Sequence, residues 1–107
     1  MRAASLTDLA RLDDAAFRAL FAKSPVKRIG RDRFIRNVLI AIGNSNDGAL
    51  AVEAGRLLDD ASPLVRGAAV WALSQLMRQD EFEVLAASAI GTELDEDVQV
   101  EWRAAGS

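Results

Sequence analysis

Apolar residues recur every three to four positions along most of the chain. In residues 5–22, SLTDLARLDDAAFRALFA, Leu6, Leu9 and Leu12 share one helical face, and Phe17, Leu20 and Phe21 share another. Asp13 can cap the second piece, so the pattern predicts a short helix, a hinge at 12–13 and a second helix to about Ala22. Ser24-Pro25 stops it, because the residue before a proline avoids the helical region. Lys27 and Arg28 then fall in a loop, Gly30 punctuates it, and Arg31 to Gly43 reads as a strong helix. On that helix Phe34, Ile35, Val38, Leu39, Ala41 and Ile42 fill one broad arc, with Arg33, Arg36 and Asn37 opposite, beside Ile40.

The run Gly43-Asn44-Ser45-Asn46-Asp47-Gly48 is a turn, and Ala49 to Leu58 is the next predicted helix. Ser62 is placed to cap a helix that has Pro63 at its first position. Leu64 to Met77 is almost wholly apolar and is expected to be the most buried element. Asp80 is expected to cap a helix reaching Gly91 or Leu94, and Glu96 to Ala104 is a last short helix carrying Val98, Val100 and Trp102. No segment has the alternation of a strand, so the expected fold class is all-α.

The helices also repeat. Ala41-Ile42-Gly43 and Ala72-Leu73-Ser74 hold the same place in units 31 residues apart, and Asp60-Ala61-Ser62-Pro63-Leu64-Val65-Arg66 returns loosely as Asp95-Glu96-Asp97-Val98-Gln99. Paired helices in units of this length, with an Asp before the first helix and Val-Arg inside it, resemble HEAT-like repeats. Such pairs are apolar on two faces and must stack, which predicts an α-solenoid. The expected division of 1–107 is leading helices and a basic loop at 1–30, one repeat at 31–61, a second at 62–94, and a partial third at 95–107. Gln99 stands where the repeat would place arginine.

Composition narrows the chemistry. At 107 residues the chain suits one domain, and a 50% apolar content argues against wholesale disorder. There is no cysteine and no histidine, which removes disulfides, the usual zinc sites, thiolate-held clusters, thiol nucleophiles and imidazole acid–base catalysis. No serine has a histidine to activate it, and the glycine-flanked turn lacks the lysine of a phosphate loop. Asp95, Glu96 and Asp97 lack the spacing of a calcium loop and read as helix-start carboxylates. Apolar runs such as Val38 to Ile42 are too short to cross a bilayer, and residues 1–20 lack the apolar core of a secretion signal. A soluble cytoplasmic domain without a membrane partner is the expectation.

Charge changes the picture more. The formal net charge is −3, yet Lys23, Lys27, Arg28, Arg31, Arg33 and Arg36 crowd a single stretch with Asp32 alone against them. Cations in a first helical turn oppose the helix dipole, so neutralising a helix end does not explain them. Arginine forks match phosphate oxygens, which makes nucleic acid one reading. A solvated charged face, or pairing with the acids at 93–97, is the other.

The segment SPVKRIGRDRFIRNVLIAIGNSND (24–47), followed by LLDDASPLVRGAAVWALSQL (57–76), closely resembles the C-terminal part of bacterial epoxyqueuosine reductases. LDDAAFRALFAKSP upstream and DEDVQVEW at the close are similar too. Members of that family carry out the last step of queuosine formation at the tRNA wobble position. The resemblance implies an absent N-terminal catalytic domain holding cobalamin and two 4Fe–4S clusters, and a HEAT-like part that holds the tRNA anticodon stem-loop against it. It carries the family's basic run onto Lys27, Arg28, Arg31, Arg33, Arg36 and Asn37, expected to face tRNA phosphates or the catalytic half. No cofactor is expected in this chain, which alone should reduce nothing. The rival expectation is a stand-alone HEAT-like scaffold binding a polypeptide on its concave face.

Overall fold

The computed structural model describes residues 5–105, and every regular element among them is helical. Helix α1 (Leu6–Ala10) opens on Ser5, whose hydroxyl accepts from the Asp8 amide at 3.1 Å. Helix α2 (Asp14–Leu20) opens on Asp13, which accepts from the Ala16 amide at 2.7 Å. A 3₁₀ turn, Pro25–Ile29, leads into α3 (Gly30–Gly43). Then come α4 (Ala51–Arg56), α5 (Pro63–Leu76), α6 (Gln79–Ala89) and α7 (Glu96–Ala105). Ser62 caps α5 by accepting from the Val65 amide, and Pro63 fills the first turn, where its missing N–H costs nothing.

Helix α5 is the centre of the molecule, with α3 against one side, α7 against another, and α4 packed on it as well. Ile35, Leu39 and Ile42 of α3 meet Val65, Ala69 and Val70 of α5 in a fully buried seam, and Val98 of α7 extends it. Each large aliphatic side chain so buried contributes about 1.5–3 kcal/mol, so stability concentrates along this seam. The Cα atoms fill 42 × 30 × 16 Å, room for two layers of helices spaced about 8–10 Å apart and no third. Gly43 sets the approach of α3 to α5: a Cβ there would run into the Trp71 ring, so only glycine lets the two surfaces meet. Trp102 is buried against Phe82, with ring centroids 5.5 Å apart.

Several local expectations are corrected. Leu20 does not share the buried face of Phe17; it is exposed, while Phe17 and Phe21 turn onto Phe34 of α3 with centroids 5.4 and 5.0 Å away. On α3 it is Ala41 that faces solvent and Ile40 that is half-buried, because α5 covers the Ile40 side. Lys27 and Arg28 lie in the 3₁₀ turn rather than a loop. The helix expected over 49–58 is α-helical only in α4 and tightens to 3₁₀ geometry at Gly48–Leu50 and Leu57–Asp59. Asp80 is not a cap: Arg78 holds the N-cap position, and Asp80 sits in the first turn of α6, where a carboxylate still complements the dipole. That helix stops at Ala89, where the Thr92 hydroxyl donates to the Ala89 carbonyl and closes the end.

Candidate nucleic-acid interface

The basic segment is held in place by its apolar neighbours. The Phe17–Phe21–Phe34 cluster pins the end of α2 to α3, and Ser24 accepts from the Val26 amide at 3.2 Å to start the 3₁₀ turn. Gly30, with φ of 81°, takes the backbone from that turn into α3 in a conformation that side-chain-bearing residues avoid. The first turn of α3 has no side-chain cap, so its amides add positive potential to the cations around them.

The six expected site residues divide into two kinds. Arg31 is an internal clamp. Its Nη1 and Nη2 donate to the two Asp60 carboxylate oxygens at 3.0 and 2.8 Å, its Nε donates to the Leu12 carbonyl at 3.0 Å, and Nη1 also reaches Asp32 at 3.2 Å. Its side chain is only 15% exposed. Lys27, Arg28, Arg33, Arg36 and Asn37 are all exposed, and their side chains make no hydrogen bond or ion pair with any described residue; the same holds for Lys23. Arg33 lies with Gly30 and Arg31 along a shallow groove of about 480 Å³ that joins the starts of α3 and α5 through Ser62 and Leu64. Arg36 turns to a different groove, beside Ile40 and Trp71.

The alternative pairing of this basic run with the acids at 93–97 is not what forms. Glu93 is taken by Arg66, whose Nε and Nη2 each donate to it at 3.0 Å, while Nη1 donates to the Asp60 and Ala61 carbonyls at 2.9 and 3.1 Å. Arg31 and Arg66 thus do the same work one helix apart. Each sits in the first turn of its helix, grips a preceding backbone carbonyl, and forks onto a carboxylate shortly before the next helix but one, α5 for Arg31 and α7 for Arg66. Gln99 keeps half of this: its amide donates to the Glu93 carbonyl at 2.6 Å, without a charged fork. A third arginine pair ties down the other end of the chain, with Arg11 forked onto buried Glu53 at 3.1 and 2.9 Å and Arg56 donating to the Ala10 carbonyl at 3.1 Å.

These contacts set the local protonation. Burial pushes the Asp60 carboxyl up, but the Arg31 hydrogen bonds and the Ser62 amide outweigh it and hold the pKa below the ordinary value. The hydrogen bond from Arg66 holds Glu93 low against its burial, and that from Arg11 does the same for Glu53. Among the described residues no buried side-chain nitrogen or oxygen lacks a partner.

The sequence carried a signal for Arg31 that its charge obscured. It precedes Ile35 by four residues and Val38 by seven, so it shares the buried stripe of α3. Arg66 stands in the same relation to Val70 and Leu73 of α5.

With no cysteine in its sequence, the chain offers no thiolate to an iron–sulfur cluster, and no group of acidic residues suited to a metal ion occurs among the described residues. No helix there is long and apolar enough to cross a membrane.

No family model matches the chain. Two curated relatives do. An epoxyqueuosine reductase of Alicycliphilus denitrificans is 36% identical over 78 residues, which are 65% of this chain and 22% of that protein. One of Xanthomonas campestris pv. campestris is 39% identical over 74 residues, 67% of this chain and 21% of that protein. The chain therefore spans only about a fifth of the length of the curated relatives it matches. Two solved structures share its fold over 94% of its length at 22% identity, each match covering 27% of the solved chain. They are a selenomethionine-labelled epoxyqueuosine reductase, with a TM-score of 0.86, and an epoxyqueuosine reductase with a tRNA-Tyr epoxyqueuosine-modified stem loop, with a TM-score of 0.85. The resemblance read from the basic run is thus shown: epoxyqueuosine reductases are homologues of this chain, matching it along a small part of their own length.

Proposed function

We propose that this chain is a HEAT-like, tRNA-engaging part of an epoxyqueuosine reductase, which helps to hold an anticodon stem-loop while chemistry occurs elsewhere in the enzyme. The observation that carries this reading is the set of exposed cations without hydrogen-bond or ion-pair partners among the described residues, Lys23, Lys27, Arg28, Arg33 and Arg36, along the 3₁₀ turn and the outer side of α3. Unpaired cations on a structured edge gain from phosphate contact, because each contact releases condensed counterions. A solved structural neighbour that holds a tRNA stem loop supports the choice of partner. The HEAT-like reading is supported by the side-by-side order of α3, α5 and α7 and by the matched Arg31–Asp60 and Arg66–Glu93 clamps. Cobalamin and the 4Fe–4S clusters belong, in this reading, to a catalytic part outside this chain, as does all bond-breaking.

Arg31 leaves the contact set, since phosphate would have to displace Asp60 to reach it. The phosphate-facing residues are then Lys27, Arg28, Arg33 and Arg36, with Asn37 as a neutral donor beside them. The test is fluorescence anisotropy with a labelled anticodon stem-loop RNA and the 107-residue chain. Reversing Lys27, Arg28 and Arg33 to Glu should weaken binding at least about tenfold and flatten its salt dependence by about one unit of slope per lost phosphate contact, with helicity retained. Unchanged affinity in that variant would sink the RNA assignment and leave docking onto a catalytic half as the role of the basic run.

A further inference from the structure

We propose that the groove between α3, α5 and α7 takes an extended polypeptide segment in which a lysine stands next to an aliphatic residue. This groove encloses about 570 Å³ and is separate from the cations of the 3₁₀ turn. Its floor is apolar: Ile40 of α3 with Leu64, Ala68 and Trp71 of α5. Leu64, in the first turn of α5, is 44% exposed, an apolar surface facing water. The room exists because Gly67 and Ala68 carry almost no side chain, and the indole is set by its contact with Gly43.

The walls say what fits. Along the α7 side run Asp97 and Glu101, one helical turn apart, and neither carboxylate has a hydrogen-bond or ion-pair partner among the described residues. Asp95 also lines the groove but is committed, accepting from the Val98 amide at 3.0 Å. On the α3 side Asn44 presents a side-chain amide that no described residue engages, a donor and an acceptor in one group. Arg36 at the rim is the one cation among the described residues that line this groove.

Each part matches one part of a basic peptide. The methylene stem of a lysine lies along the indole while its ammonium meets Asp97 and Glu101, a geometry that combines cation–π attraction with charge pairing. The Asn44 amide pairs with a peptide N–H and C=O, and a neighbouring aliphatic side chain fills the hollow over Ala68. The same charges disfavour nucleic acid, since two free carboxylates against one arginine repel phosphate. The inference does not depend on the RNA reading, because it uses none of Lys27, Arg28 or Arg33.

The probe is a short fluorescein-labelled peptide alternating lysine with leucine, titrated with the 107-residue chain and followed by anisotropy, with a glutamate–leucine peptide as its control. The lysine peptide should bind and the glutamate peptide should not. Asp97→Asn with Glu101→Gln should weaken the lysine peptide about tenfold or more, since it removes the charges opposite the ammonium. Ala68→Met, which plugs the hollow without touching a charge, should weaken it comparably, and circular dichroism on both variants checks that helicity is kept. Lys27→Glu with Arg33→Glu should leave peptide binding unchanged. Equal binding of the two peptides, no binding of the lysine peptide, or insensitivity to both groove variants overturns the proposal. So does a stem-loop RNA whose affinity falls in Ala68→Met while peptide binding does not.

Discussion

Arg31 and Arg33 stand two residues apart on α3, yet one is built into the fold and the other is left to solvent. Arg31 faces the seam with α5, loses most of its hydration there, and is compensated by a bidentate carboxylate and a backbone carbonyl. Arg33 is exposed and has no hydrogen-bond or ion-pair partner among the described residues. The contrast extends along the molecule. Arg66 repeats the internal role, while Lys27, Arg28 and Arg36 repeat the external one. A run of like charges therefore does two physically distinct jobs, and helical phase, not charge, sorts them. An arginine on the buried stripe aligns successive helices; one off the stripe is available to a partner.

The contrast can be broken most sharply at Asp60. Asp60→Ala leaves the guanidinium of Arg31 in a half-dry site without its fork and also removes an acceptor from the Ser62 amide. It should cost about 2–4 kcal/mol in urea unfolding, below the loss for a fully buried pair because the rim is wet. A cost no larger than that of Arg33→Ala would mean that the clamp is ornamental.

Acid should act on the same side of the contrast and more weakly. Asp60, Glu93 and Glu53 all have folded pKa values held below the ordinary carboxylate range, so the unfolded chain takes up protons first as pH falls. Their stabilisation is fully present above about pH 5 and drains away as pH drops through the folded values. With no histidine in the sequence, the urea midpoint should stay flat between about pH 5 and 8 and fall only below that. A midpoint that declines already across the neutral range would point to some other titrating group.

The smallest expected effect lies on the free cations. Arg33→Ala and Lys27→Ala should each change stability by no more than about 0.5 kcal/mol in the same unfolding experiment, as exposed residues without partners do. A larger loss at either position would show that it, too, belongs to the scaffold.

Element identity was largely legible in the chain because it rests on local chemistry. Asp13 and Ser62 are caps wherever the chain is read, since an oxygen two or three residues before an open amide needs no tertiary help. The apolar run of α5 announced a central helix, and the basic run announced the resemblance to epoxyqueuosine reductases. What was not legible depended on neighbours distant in sequence. Ile40 and Ala41 exchanged places because α5 lies to one side of α3; Leu20 was left outside while Phe21 packs on Phe34; and Glu93, one of the acids at 93–97, is claimed by Arg66 rather than by the basic run.

The sequence by itself therefore determined an all-helical chain, its caps and turns, the absence of thiol and imidazole chemistry, and the crowding of cations into 23–36. Only the tertiary structure decided which of those cations are free. Charge is a property of one residue, but desolvation and pairing belong to a place, and the place of Arg31 exists only once Asp60 has been carried back across α4 to meet it.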